Sequence, residues 1–210
     1  LQPVESDVVY VSRAGLAGTT KGHHAGEGYL VSLLQGLGVQ ILTPEKVSLR
    51  QQLQIYAGAR HLIFAEGSAL HGRQLLGRVD QTVTVLLRRP NSEVARSAIA
   101  ARVCAVDYVN VSRVVLAPTL LTGRVTASMG LAIYNESALF DVFAQIGVDL
   151  TKSWNKKAYL ASRNHDITQW LATVLCTPSV DAAATITALR GRLVDRNLPK
   201  LLPLLQQFSR

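Results

Sequence analysis

The sequence has few of the residues on which several classes of protein depend. Only two cysteines occur, Cys104 and Cys176, in neither a CxxC nor a zinc-finger spacing. We therefore expect buried free thiols in a reducing compartment rather than a disulfide framework. Aromatic residues make up only 6% of the chain, so the stacking platforms typical of nucleic-acid binders are not expected, nor is nucleic acid as a partner. The longest apolar runs, at 83–87 and 114–118, fall short of the roughly 20 residues of a membrane helix.

Acidic residues are also scarce relative to basic ones. The chain has 22 Lys and Arg against 14 Asp and Glu, a formal net charge of +8. This balance favours anionic partners, and because the basic residues are scattered, a small phosphorylated ligand is favoured over a polymer. A solvated basic surface accounts for many of the same charges. We expect a cytoplasmic protein whose basic surface allows peripheral association with the inner membrane face.

The chain begins at Leu1 and its only methionine is Met129, so we expect it to be part of a longer or processed polypeptide. Short apolar runs alternate with stretches of helical periodicity over its first hundred residues. The pattern predicts strands at 8–11, 39–42, 61–65 and 83–87, further strands at 103–106 and 114–117, and a glycine-rich loop at 15–28. It predicts helices at 27–37, from Ser48 onward, at 68–76, at 91–101, and beyond 137 at 137–146, 165–176, 179–195 and 198–208.

Continuously apolar strands separated by helices predict an α/β fold, a doubly wound and mainly parallel Rossmann-like sheet followed by C-terminal helices. Residues 102–136 are compatible with two strands plus a connection or with a hairpin. We predict a Rossmann-like nucleotide-sugar-binding domain at 1–150 and a helical extension at 151–210 that packs on it.

Ligands of doubly wound sheets bind at the carboxyl ends of the strands, and the first such position is the loop after the first strand. Arg13 ends that strand, glycines follow, and a helix begins near Glu27. A guanidinium at this position suits phosphate oxygens, with Lys21 as a second cation. The glycines match neither GxGxxG nor GxxxxGK[ST], and a flexible surface loop is the alternative.

The second position is the turn after the third strand, with the sequence EGSALH from Glu66 to His71. Gly67 and Ser68 predict a tight turn into a helix whose first amides, those of Ser68, Ala69 and Leu70, face a ligand. Glu66 is placed to accept from sugar hydroxyls, and His71 to bind phosphate or transfer a proton. The alternative is that Ser68 only caps the helix and that His71 packs against the sheet.

His23, His24 and Glu27 are close in sequence, but HHxxE is not a recognised ligand spacing, and we predict no metal site. The sequence GSAL does not fit the GxSxG motif of serine hydrolases either.

Four short motifs occur together in order and spacing. They are Ser12-Arg13, Glu27, the segment 44–52 with sequence PEKVSLRQQ, and Glu66-Gly67-Ser68-Ala69-Leu70-His71. The run 9–72 that carries them resembles the catalytic region of glycosyltransferase family 61. The chain departs from the eukaryotic pattern at Glu66, where those relatives have a histidine, so a catalytic role does not transfer from that histidine to Glu66.

The resemblance implies a GT-B type glycosyltransferase that transfers a sugar from a nucleotide-sugar donor to a glycan or polysaccharide acceptor, with no cofactor. The chain would be the donor-binding portion, and an N-terminal acceptor domain would be missing, so we expect poor turnover by these 210 residues alone. Position by position, the donor-binding residues would be Arg13, Lys21, Glu27, Gln52, Gly67, Ser68 and Ala69, and the catalytic ones Glu66 and His71. Arg13 would hold the diphosphate, Glu27 would orient the loop or bond the sugar, and Gln52 would support the site from the second helix.

Two other functions fit the same residues. A polysaccharide pyruvyltransferase-like enzyme would bind phosphoenolpyruvate, and a non-catalytic nucleotide- or phosphate-binding module would need no catalytic residue. All three functions require that Arg13 and the 66–71 turn lie close together and line one binding cleft.

Overall fold

The computed structural model describes residues 2–208, which contain eight strands in two sheets. In chain order the strands are β1 (Ser6–Val11), β2 (His23–Ala25), β3 (Gln40–Leu42), β4 (Ala59–Ala65), β5 (Thr82–Leu87), β6 (Ala105–Asn110), β7 (Ser112–Leu116) and β8 (Leu131–Tyr134). Five of them form an all-parallel main sheet in the order β3-β1-β4-β5-β6, with Val9 of β1 opposite Gln40 of β3 and Leu62 of β4.

Eight α-helices connect and follow these strands within the described residues. They are α1 (Glu27–Gly36), α2 (Leu49–Gly58), α3 (Leu70–Arg73), α4 (Arg96–Ala100), α5 (Glu136–Gln145), α6 (Lys156–Leu175), α7 (Ala182–Asp195) and α8 (Leu202–Gln206). No helix among residues 2–208 is long and apolar enough to cross a membrane.

Both faces of the main sheet are buried. Along β4, Leu62 and Phe64 belong to a core with α2, α3 and α4, whereas Ile63 and Ala65 belong to a second core with α1, α5 and α6. Successive side chains of a strand point to opposite faces, so a strand that is apolar at every position requires cover on both sides. The structure confirms the α/β, doubly wound, mainly parallel fold.

A second, three-stranded sheet lies beside the main one, in the order β2-β8-β7. Strands β7 and β8 are antiparallel, with an irregularity between Ser112 and Val114, and β2 is parallel to β8. The 102–136 region therefore supplies one strand to the main sheet and a separate antiparallel pair to the other. The sequence prediction of an irregular loop at 15–28 is wrong at β2, because three residues are too few for a periodic signal.

The C-terminal helices pack against this second sheet. Trp170 and Leu171 of α6 and Leu189 and Leu193 of α7 share a buried core with Leu131 of β8. α6 also contacts α1 beside the main sheet. The division at residue 150 into a nucleotide-sugar-binding domain and an extension stays a prediction.

Several local predictions are wrong for identifiable reasons. The helix expected at 91–101 begins only at Arg96, because Asn91 and Ala95 have left-handed φ values of 67° and 62°. The helix expected at 165–176 begins at Lys156, because the Asn155 side chain caps it on Ala158 N. Residues 198–208 contain a 3₁₀ turn and the short α8 rather than one helix.

Both cysteines are exposed, contrary to the expectation of buried thiols. Cys104 directly precedes the edge strand β6, and Cys176 follows the last residue of α6. Neither position lies inside a packed element, which explains the exposure. The helix predicted from Ser48 onward is confirmed as α2, and Ser48 and Gln51 form a capping box at its start.

Candidate functional site

The strand order places a crevice between the carboxyl ends of β1 and β4. From β1 the chain moves to β3 on one side of it, then returns to β4 on the other side. Such a reversal of strand order is the topological switch point at which open α/β sheets bind ligands. Arg13 follows β1 and Glu66 follows β4, so both predicted stretches meet here.

Arg13 and the turn after β4 line one cavity of about 470 Å³, which we call the switch-point pocket. Its other walls come from the loop before β2, the residues after β5 and the 3₁₀ turn Ala127–Met129. Its lining residues are Arg13, Thr20, Lys21, Gly22, Gly67, Ser68, His71, Arg88, Arg89, Val94, Ser128 and Met129. The convergence that the sequence interpretation required is present.

Arg13 is fixed in this pocket by its own loop. Its Nε and Nη2 donate to the Gly22 carbonyl at 3.0 and 2.8 Å. Its guanidinium lies against Gly67, where an added Cβ would stand 1.9 Å from Nη1. Burial lowers the pKa of Arg13 from its usual value, although nearby carboxylates, Glu27 first, act in the opposite direction. The cation is therefore held in place before any ligand arrives.

Gly67→Ala is expected to weaken the binding of a nucleoside diphosphate about tenfold, because the new methyl group displaces the Arg13 guanidinium. The measurement is isothermal titration calorimetry with uridine and guanosine diphosphate. Gly36→Ala is the control, since an added Cβ there has no neighbour within 4 Å. Equal affinity in the Gly67 variant and the control would contradict the contact.

Arg88 and Arg89 are site residues that the sequence interpretation missed. Arg88 is 4% exposed, and its Nη1 donates to the Ala127 and Gly130 carbonyls at 2.6 and 3.0 Å. Its Nε is buried without a hydrogen-bond partner. Burial lowers the pKa of Arg88 to about 10, which leaves it charged at neutral pH. Arg88 and Arg89 directly follow the carboxyl end of the parallel strand β5, and this position was the signal available in the sequence.

Glu66 is buried behind the pocket rather than exposed in it. One carboxylate oxygen accepts from the backbone amides of Arg88 and Arg89, each at 2.8 Å. The other accepts from Nε of Arg89 at 2.6 Å and forms an ion pair with its Nη2. The carboxylate thus holds the segment that presents both arginines. Its predicted catalytic role stays a prediction.

Glu27 is also buried, at the start of α1. A single carboxylate oxygen accepts from Tyr10 OH, Ser12 OH and the Arg13 amide at 2.9, 3.0 and 2.7 Å. The other oxygen is buried without a hydrogen-bond partner. Burial raises the pKa of Glu27, and these three donors partly oppose the shift. The carboxylate holds the backbone of the chain as it leaves β1, and the roles that the family resemblance implies for Glu27 stay predictions.

His23 and His24 are buried on β2. His23 Nδ1 lies 3.1 Å from the Lys21 carbonyl, and the His24 ring stacks on Tyr134 with centroids 4.5 Å apart. Within residues 2–208, no group of three or more His, Cys, Asp or Glu side chains is arranged to hold a metal ion. The prediction that the site has no metal stays a prediction.

The turn after β4 differs in detail from the expectation. Ser68 makes no side-chain cap, and the helix it was expected to open is only the four residues of α3. The Leu70 amide donates to the Gly67 carbonyl at 3.3 Å, so it does not face a ligand as predicted. His71 is exposed rather than packed on the sheet, its Nδ1 accepts from the Gln74 side-chain amide at 2.8 Å, and the residue lines the switch-point pocket.

A second cavity, of about 450 Å³, lies on the α2 side of Arg13, and we call it the α2 pocket. It shares Arg13, Lys21 and Ser68 with the switch-point pocket, and it also contains Ala69, Glu45, Leu49 and Gln52. Gln52 donates to the Pro44 and Val47 carbonyls at 2.8 and 3.3 Å, which fixes the turn that carries Glu45. Leu49, in the first turn of α2, is 53% exposed.

A cation-lined cleft at the switch point of a doubly wound sheet is typical of α/β enzymes that bind phosphorylated ligands. The sequence profile described as Glycosyltransferase 61 matches residues 1–73, which end at α3 and include all four motifs of the resemblance. This part of the chain, about a third of it, is therefore similar to glycosyltransferase family 61, and the match supports a glycosyltransferase, an enzyme with a sugar donor and an acceptor. No curated protein gives a significant match.

Proposed function

We propose that the chain is the donor-binding portion of a transferase that moves a sugar from a nucleotide-sugar donor to a glycan or polysaccharide acceptor. The observation that carries the proposal is the position of Arg13 on the wall shared by the switch-point and α2 pockets. A donor molecule has two parts of different chemistry joined by a diphosphate. Two pockets joined at a fixed arginine match that division.

The α2 pocket suits the nucleoside. Leu49 offers an exposed apolar wall for a base, and Glu45 is an exposed carboxylate for ribose hydroxyls. Ala69 and Gln52 also line this pocket. The exposure of Leu49 is costly for a leucine in water and is relieved when a flat ring covers it.

The switch-point pocket suits the diphosphate and the transferred sugar. Four cationic side chains line it, those of Arg13, Lys21, Arg88 and Arg89, and no carboxylate does. Breaking the sugar–phosphate bond builds negative charge on the leaving diphosphate, and fixed positive groups lower the barrier to that step. The unpaired Nε of Arg88 is a donor already desolvated at this wall.

In this proposal His71 contacts the donor, whereas Glu66 and Glu27 position other residues of the site. His71 lies at the pocket wall with Nδ1 occupied by Gln74, so Nε2 is the atom available to a phosphate or a proton. Glu66 acts in this proposal through Arg89, and Glu27 through the backbone of Arg13. Acceptor binding by a further domain, cytoplasmic location and peripheral membrane association remain part of the proposal.

Arg13→Ala is expected to weaken nucleoside diphosphate binding by roughly 1.5–3 kcal/mol, the usual magnitude for a hydrogen bond to a charged group. Calorimetry with uridine and guanosine diphosphate measures the change. Arg124→Ala, at an exposed turn outside both pockets, is the matched control. Unchanged affinity after loss of Arg13 would refute its assignment. Binding of phosphoenolpyruvate without binding of either nucleotide would favour the pyruvyltransferase-like alternative.

A further inference from the structure

A third cavity, of about 590 Å³, lies on the opposite side of the 3₁₀ turn Ala127–Met129 from the switch-point pocket. We call it the arginine pocket, because Arg89, Arg113, Arg192 and Arg196 line it together with Asn110 and Ser112. Arg113 stands on β7, and the two later arginines lie at the end of α7. Its volume falls in the range of about 300–1,000 Å³ that small-molecule sites occupy.

Few carboxylates lie near this pocket: Glu66 pairs with Arg89, and Asp195 shares a neighbouring surface cavity with Arg192 and Arg196 without an ion pair among the described residues. No acidic residue lines it, and of the four ion pairs among residues 2–208 only the one between Arg89 and Glu66 involves it. Several guanidinium groups therefore share one concave surface, whose positive potential attracts anions.

Most of the guanidinium donors are left available. Arg113 uses Nη2 on the Arg196 and Asn197 carbonyls, at 3.4 and 3.3 Å, and Arg192 uses Nη1 on the Val115 carbonyl at 2.8 Å. The side chain of Arg196 makes no hydrogen bond or ion pair among the described residues. Arg113 and Arg192 have a structural role, because their hydrogen bonds connect β7 to the end of α7. The side chain of Arg196 has no such role.

The arginine pocket adjoins the switch-point pocket. Arg89 lines both, and the segment between them is held by Arg88, whose Nη1 donates to the Ala127 carbonyl at 2.6 Å. Ala127 faces the arginine pocket, whereas Ser128 and Met129 face the switch-point pocket. A ligand in one pocket is therefore separated from a ligand in the other by one turn of chain and one arginine.

We propose that the arginine pocket binds the anionic group, a carboxylate or a phosphate, of a sugar acceptor whose remaining part is held by the further acceptor-binding domain. This inference rests on the proposed function, since it assigns the donor to the other two pockets. Arginine forks match the planar carboxylate and the phosphate oxygens, and Val114, Val115 and Val125 supply an apolar surface beside them. The acceptor is an acidic saccharide or a sugar phosphate rather than a neutral glycan.

The test measures binding of three probes to the full 210-residue chain by calorimetry: a trigalacturonate, glucose 1-phosphate and neutral maltotriose. Wild type is expected to bind an anionic probe and not the neutral one, and Arg196→Gln to weaken that binding about tenfold. Arg190→Gln, exposed on the same helix but outside the pocket, is the matched control and should leave it within about twofold. Uridine and guanosine diphosphate affinity should be unchanged in both variants, and thermal denaturation verifies folding.

The probes distinguish the two sources of charge, since preference for the uronate assigns a carboxylate acceptor and preference for the sugar phosphate assigns a phosphorylated one. The inference is overturned if wild type binds neither anionic probe, binds maltotriose equally well, or loses as much affinity with Arg190→Gln as with Arg196→Gln. Failure of the proposed function has a different signature: no nucleotide binds, while anionic saccharide binding remains dependent on Arg196.

Discussion

Glu66→Ala is expected to lower the free energy of unfolding by about 3 kcal/mol and to weaken nucleoside diphosphate binding. The substitution removes the acceptor of two backbone amides, those of Arg88 and Arg89, and the partner of the Arg89 side chain. Charged hydrogen bonds each contribute about 1.5–3 kcal/mol, and loss of a buried partner leaves the remaining groups unsatisfied. The Arg89 side chain is 31% exposed and can turn to water, which keeps the estimate at the lower end.

Denaturation in urea measures the stability change, and Glu93→Ala is the control. Glu93 pairs with Arg96 at the surface, with side chains 48% and 39% exposed, so its loss should cost under about 1 kcal/mol. Equal effects of the two substitutions would contradict the buried arrangement of Glu66.

Glu66→Gln separates the two roles considered for this residue. If Glu66 only positions Arg89, the amide variant weakens nucleotide binding, because its NH₂ group faces the guanidinium. If it is the catalytic carboxylate of the sequence prediction, nucleotide affinity is retained and turnover alone is lost.

His24→Phe is expected to reduce the loss of stability in acid by about 3 kcal/mol between pH 6.5 and pH 4. Burial, followed by the charges of Arg88 and His23, lowers the pKa of His24 from 6.5 to about 3, and the Leu87 backbone opposes the shift. The unfolded chain binds the proton first, so stability is fully present above pH 6.5 and falls toward pH 3 by about 1.4 kcal/mol per unit. Phenylalanine keeps the stack on Tyr134 without a titrating nitrogen.

Urea denaturation of both proteins across this pH range gives the difference attributable to His24. Burial raises the pKa of Glu27 and of Asp166, so their contributions to stability increase as the pH falls, opposite to that of His24. Both proteins contain these carboxylates, and the comparison of the two therefore removes their contributions. His23, whose pKa is also lowered by burial, remains in both proteins. Parallel stability curves for the two proteins would show that His24 is not buried as a neutral ring.

Glu66 and His24 stabilise the switch-point pocket although neither residue lines it. Glu66 fixes the backbone after β5, and His24 lies on β2, whose neighbouring Gly22 carbonyl holds Arg13. The positions at the pocket are thus maintained by groups that do not themselves line it. Pre-organised cations of this kind require no rearrangement when a diphosphate binds.

The strand and helix pattern was predictable because its signals are local. β4 and β5 contain the short apolar runs 62–65 and 85–87, and the cap at Ser48 needs only the residues up to Gln51. The predicted start of α4 was wrong because a single backbone angle decides it: Ala95 has a left-handed φ, and no sequence pattern predicts that conformation for an alanine.

Arg13 and the 66–71 turn were predictable as site elements because carboxyl ends of parallel strands meet at one edge of a sheet. Arg88 and Arg89 occupy the equivalent position after β5 but belong to no motif of the resemblance. The sequence pattern therefore did not distinguish them from ordinary charged surface residues. The burial of Glu66 and Glu27 depends on partners 14 to 23 positions away, such as Arg13 and Arg89. Such pairings are set only when the chain is folded.

The amino-acid order alone determined the class of fold, the similarity of residues 1–73 to glycosyltransferase family 61 and the edge of the sheet that carries the candidate site, since periodicity, turn residues and short motifs act between near neighbours. Tertiary structure decided which charges face the ligand and which support the backbone. The arginine pocket belongs to the second kind, because Arg89, Arg113 and Arg196 come from three distant segments. Only long-range packing of α7 against β7 brings those charges together, and no local pattern encodes it.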